Sequence, residues 1–87
     1  MEVMWQVQYE SNGVAYWWDC PPEVVRELEE RRKTNELVGW VWKWDKEDKP
    51  DSRYILDPIL MKQINSDNGY ERIIRRIYVD SDIHVGR

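Results

Sequence analysis

Phenylalanine is absent from this 87-residue chain, and cysteine and histidine occur once each, as Cys20 and His84. One cysteine excludes an internal disulfide, and with one histidine it excludes a zinc cluster of the usual Cys/His kind. No apolar run approaches the ~20 residues that a transmembrane helix needs, so no membrane partner is expected. Met1-Glu2-Val3 leads straight into patterned sequence, and no signal peptide is expected. Basic charge is in deficit: 13 Lys and Arg against 17 Asp and Glu leave a net charge of −4, which argues against a general nucleic-acid binder. Phosphate-loop, nucleophile-elbow and metal-ligand spacings are all missing, so neither a metal, a cofactor nor catalysis is expected. Cys20 reads as a small half-buried residue at a helix start, and His84 as a solvated residue of the tail.

What the chain does contain is six Trp and five Tyr. A domain needing only bulk would use some Phe. Trp and Tyr combine a large flat face with a polar handle, which suits a binding surface. The length fits one domain. A chain this short buries roughly 60–65% of its unfolded surface, so its core is thin and every large apolar residue counts. Charge is uneven. Residues 1–52 carry twelve acids and seven bases, whereas residues 53–87 carry five acids and six bases.

Residues 4–10 alternate, with Trp5, Val7 and Tyr9 on one face and Gln6, Gln8 and Glu10 on the other, as in a half-buried strand. Asn12-Gly13 is a strong hairpin signal, and residues 14–18 read as the return strand. A helix follows, with Asp19 or Cys20 expected at its cap, Pro21 and Pro22 in the first turn, and its end near Lys33. Glu27 with Arg31 and Glu29 with Lys33 are spaced as i,i+4 ion pairs. Residues 37–44 alternate again, placing Trp40, Trp42 and Trp44 on one face. A charged loop over 45–52 and a strand over 53–56 complete a second hairpin. Asp57 and Pro58 begin one expected helical turn over 57–63. Residues 70–79 read as the last strand, with Arg72, Ile74, Arg76 and Tyr78 on one face and Ile73, Arg75, Ile77 and Val79 on the other. The predicted fold is α+β: one helix packed on a curved antiparallel sheet of about five or six strands.

Candidate binding groups collect late in the chain: Tyr54, Gln63, Asn65 and Arg72, then Arg75 and Arg76. Arg offers a planar fork for phosphate. Tyr offers a face for a base or sugar, and Gln both a donor and an acceptor. Taken on spacing alone, these residues read slightly better as sheet, turn and solvated surface.

The stretch from Arg53 to Asn65, with Tyr54, Asp57, Met61, Gln63 and Asn65 in order, followed by Gly69, Tyr70, Arg72, Arg75 and Arg76, resembles the second half of a WWE domain. In the first half, Trp5, Trp17 or Trp18, and Glu29 match the Trp, Trp and Glu that name the family. The resemblance covers roughly residues 4–79 and implies a single WWE-like domain over 1–80, followed by a tail over 81–87. It implies one helix on a half-barrel sheet and a non-catalytic module that binds poly(ADP-ribose) through its iso-ADP-ribose unit. It further implies an intracellular parent protein, nuclear or cytoplasmic, of the ubiquitin-ligase or ADP-ribosyltransferase kind. On this chain Tyr54 would line the adenine end, Gln63 would bond the nucleoside, and Arg72 would hold phosphate. Trp18 and Tyr9, or Gln8 if the hairpin register slips, would complete the wall. Asn65 belongs to the same motif, and Arg76 rather than Arg75 would be an outer phosphate contact because alternation gives it Arg72's side. Ile73 and Ile74 stand where relatives are often more basic. The alternative is a degenerate protein–protein interaction module that uses a Trp-rich face around Trp40 and Trp44.

Overall fold

The computed structural model describes residues 2–43 and 48–79; Trp44, residues 45–47 of the charged loop, His84 and the tail lie outside the described residues. The elements run β1 (Glu2–Ser11), β2 (Val14–Asp19), α1 (Pro22–Arg31), β3 (Val38–Trp42), β4 (Ser52–Asp57), β5 (Lys62–Asn65) and β6 (Glu71–Val79). The six strands form one antiparallel sheet in the order β2-β1-β6-β5-β4-β3. The first and last strands of the chain are therefore neighbours near its middle. The fold is α+β, a single helix on a curved sheet that backbone pairing does not close into a barrel.

Alternation works as the sequence predicts. Trp5 and Val7 of β1 are buried, while Gln6 and Gln8 between them face the other side. In β6 the contrast is sharper: Ile74 is 2% exposed and its neighbour Ile73 is 56% exposed. The hairpin tip takes positive φ at both Asn12 (53°) and Gly13 (78°), the combination that matches strand twist and that Asn-Gly tolerates. Buried side chains from β1, β3, β4, β6 and α1 meet on the concave face: Trp5, Val7, Val24, Leu28, Val38, Leu56 and Ile74.

Three local expectations are corrected. The helix cap is Pro21, with no side-chain cap bond, rather than Asp19 or Cys20. The Cys20 amide instead donates to the Trp5 carbonyl at 2.8 Å, holding that residue to the sheet, and the Pro21 carbonyl accepts the Val24 and Val25 amides at 3.0 Å. The helix ends at Arg31, not Lys33, and Asn35 takes φ 59° beyond it. Lys33 thus lies outside the helix, and the expected Glu29 pair goes to other partners. Glu27 and Arg31 do pair, at 3.6 Å. Finally, residues 57–63 are not all turn. Asp57 Oδ1 accepts the Ile59 and Leu60 amides at 2.9 Å, as its capping role predicts. The turn then ends at Met61 with φ 58°, and Lys62–Asn65 becomes β5, a strand between β4 and β6. Four residues beside a turn are too few for periodicity to register.

Among the described residues no helix is long and apolar enough to cross a membrane. Leu28 is 0% exposed at the helix–sheet contact. Leu28→Ala is expected to cost about 2–5 kcal/mol, a large share of the ~5–15 kcal/mol that holds a small domain. Leu60→Ala, at a side chain 67% exposed, is expected to stay within about 0.5 kcal/mol. Urea unfolding midpoints check both, and equal midpoints for the two variants would refute the assigned core.

Candidate ligand-binding site

Ten residues of helix cannot cover six strands. The helix fills one end of the concave face and leaves the other to aromatic side chains. There a cavity of about 310 Å³ opens, lined by Val7, Tyr9, Trp18, Trp40, Trp42, Tyr54, Gln63 and Arg72. Register explains the company. Val7 pairs with Trp18, Gln63 with Arg72, and Tyr54 with Trp40, so each wall is a cross-strand pair sharing the inner face.

The tryptophans close the curve. Trp18 stands on β2 and Trp40 on β3, the two edges of the sheet. Their rings nevertheless stack, with centroids 5.5 Å apart and 19° between planes. Trp42 meets Trp18 edge-on at 5.5 Å and Trp40 at 5.7 Å. Trp40 also packs on Tyr54 at 5.9 Å. At the rim Tyr9 stacks on Tyr16 at 5.4 Å. Such pairs add about 0.5–1.5 kcal/mol each beyond their burial, so ring contacts supply across the gap what backbone pairing does not.

The polar groups are few. Gln63 is only 6% exposed, and since no buried side-chain polar atom among the described residues lacks a partner, whatever its amide leaves unbonded opens to the cavity. It lines the cavity with a group that is both donor and acceptor. Arg72, half-buried, donates a long bond of 3.5 Å from Nη1 to the Gln8 carbonyl and lies 5.0 Å over the Tyr70 ring. Among the described residues no carboxylate pairs with it. Flat apolar walls, an amide and one guanidinium suit a flat molecule carrying negative charge. The described lining holds no carboxylate, thiol or imidazole to act as a base or nucleophile. Cys20 lies in the core, where burial first and Asp19 second push its thiol up to about 12. Among the described residues no cluster of His, Cys, Asp and Glu could hold a metal ion.

Of the residues expected from sequence, Tyr54, Gln63, Arg72, Trp18 and Tyr9 meet on this cavity. Three do not line it. Gln8 keeps its side chain on the opposite face from Val7 and Tyr9 and offers only its carbonyl, to Arg72. Asn65 sits opposite Tyr54 in the register, but its Oδ1 accepts the Asp67 amide at 2.9 Å and so builds the turn. Arg76 is on Arg72's face, as alternation requires, but it binds Glu29 with Nε and Nη2 at 2.8 and 2.9 Å. Arg75 faces away and lies 3.9 Å over Trp17. Sequence reasoning missed Val7, Trp40 and Trp42. Trp40 and Trp42 share a face by alternation, but only the strand order shows that this face meets Trp18. Both are half-buried and turned inward; Trp44, which with Trp40 would make the expected Trp-rich docking face, lies outside the described residues.

No known family model and no curated protein matches this chain. The site therefore stands on its own geometry.

Beside the cavity, Glu29 Oε2 accepts the Trp5 indole N–H at 2.6 Å and Arg76 Nε at 2.8 Å. The Arg76 bonds, against a smaller opposing effect of burial and with help from Trp5, hold the Glu29 carboxyl down from 4.5 to about 2. A depressed carboxyl contributes its stability in full above its unfolded value and loses it as pH falls towards the folded one. Stability is thus expected to fall between about pH 4.5 and 2 through this group. Glu29→Gln is expected to lower stability near pH 7 by about 1.5–3 kcal/mol, the worth of a charged hydrogen bond, and to flatten the decline in that acid window. Urea unfolding of both proteins at stepped pH checks it; parallel curves would assign the acid sensitivity elsewhere.

Proposed function

We propose that this domain is a non-catalytic binding module for poly(ADP-ribose), taking the iso-ADP-ribose unit in the aromatic cavity. One observation carries the reading: Tyr54, Gln63 and Arg72, distant in sequence from Trp18 and Tyr9, converge with them on one cavity, where Gln63 is the buried polar side chain. The chemistry matches the ligand. Each polymer unit carries a flat base, hydroxyl-rich ribose and phosphate. Base–aromatic stacking is worth about 1–3 kcal/mol per base. A charge-assisted bond from a half-buried arginine exceeds an average surface contact. The Gln63 amide gives the site polar specificity, because a ligand that leaves it unsatisfied forfeits binding energy. The bond from Trp5 to Glu29 adds support to the resemblance, since it joins two of the residues that name the WWE family. On this reading the module brings a parent ubiquitin ligase or ADP-ribosyltransferase to ADP-ribosylated targets.

Calorimetric titration with iso-ADP-ribose, and with ADP-ribose as the control, tests the reading. Binding of iso-ADP-ribose in preference to ADP-ribose is expected, and no heat at high micromolar ligand would reject the proposal. Arg72→Ala is expected to weaken binding by about 1.5–3 kcal/mol, roughly tenfold to a hundredfold, with the fold kept as judged by circular dichroism.

A further inference from the structure

The iso-ADP-ribose unit has a phosphate at each end, beyond the adenosine and beyond the second ribose. The cavity offers positive charge in one place. Among the described residues, Arg72 is the single charged side chain on its wall. Three neighbouring bases are engaged elsewhere, and Lys43 and Arg53, beside Trp42 and Tyr54 in the chain, do not line the cavity. Arg76 has all three guanidinium nitrogens engaged: Nε and Nη2 on Glu29, and Nη1 on the Tyr78 hydroxyl at 2.8 Å. Arg75 lies on the opposite face, donating from Nε to Gln6 at 2.8 Å. Lys62 pairs with Glu71 at 3.0 Å. Releasing Arg76 would leave Glu29 without its cation and disturb the carboxylate that the buried Trp5 indole depends on.

Resting on the reading above, we infer that the pocket grips one phosphate of the polymer unit and leaves the other in solvent. The site selects a base-and-ribose ligand with a single monophosphate beside Arg72. The second phosphate meets no unengaged cation on the described wall, and the Gln63 amide, the buried polar side chain there, is taken by the nucleoside on the reading above. At physiological salt, charge more than about 8 Å away is largely screened, so its distant attraction to Arg72 adds little. A cleft with two arginines would reward both phosphates; this one rewards the phosphate that reaches Arg72.

The test is a phosphate series measured by calorimetry on the unmodified protein: iso-ADP-ribose, the two derivatives that each lack one phosphate, and ribosyladenosine that lacks both. Removing one particular phosphate is expected to weaken binding at least tenfold, and removing the other less than threefold. In Arg72→Gln, the four ligands are expected to bind within about threefold of one another. Similar effects for the two single removals, whether large or small, would overturn the inference while leaving the polymer-unit reading intact. Absence of binding by all four would overturn both.

Discussion

Glu29 is the point at which the helix is fixed to the sheet. Trp5 and Arg76 are cross-strand partners at the centre of the β1–β6 pairing, and one carboxylate from α1 binds both. Trp5 is 1% exposed, so its indole N–H could not find water and requires a partner. The ion pair itself is partly solvated, with side chains 18% and 29% exposed, so it escapes most of the desolvation cost of a buried pair. Removing the carboxylate would strand an indole donor and a guanidinium together, so this contact, with the packing of Val24 and Leu28, fixes where the helix sits.

That placement decides where the cavity lies. A short helix anchored over Trp5 and Arg76 packs mainly on β1 and β3 and leaves the end lined by Gln63 and Tyr54 open. The open edges of the sheet then face one another across a gap too wide for backbone pairing. Indole rings reach across it. The choice of Trp and Tyr over Phe follows: Trp5 uses its N–H on Glu29, Tyr78 uses its hydroxyl on Arg76, and Trp17 presents its face to Arg75. Phe would fill volume at these places but would supply no hydrogen bond to Glu29 or Arg76, and a weaker face to Arg75.

Much of this is legible in the sequence, for a physical reason. Strand periodicity and an Asn-Gly turn are local, so β1, β2, the two faces of β6 and the separation of Trp17 from Trp18 follow from neighbouring residues alone. The motif spacing that points to Tyr54, Gln63 and Arg72 is also local. Strand order is not. That β2 and β3 are the two edges, and that Trp18 therefore meets Trp40 and Trp42, depends on β1 pairing with β6, contacts more than sixty residues apart along the chain. Arg76 shows the same limit. Alternation puts it on Arg72's face, but only the helix position shows that Glu29 has taken it. The Pro21 cap and β5 escape for a different reason: backbone bonds from Cys20 to Trp5 and from Ile74 to Met61 override weak local preferences.

Net acidity then becomes part of how such a site would discriminate. Glu23, Glu27 and Glu30 are exposed on the helix that covers the filled end of the face. The open end has Arg72 as its one charged wall residue among those described. On the proposed reading, a net charge of −4 gives a polyanion little general attraction to the rest of the surface, which lowers non-specific association. Favourable binding is then confined to a ligand that reaches Arg72 with one phosphate while placing a flat base among the indoles. A basic stripe would bind any polyanion and lose it as salt rises. One guanidinium set among aromatic rings divides the affinity between charge and stacking, so recognition depends on ring and phosphate being present together at the right separation.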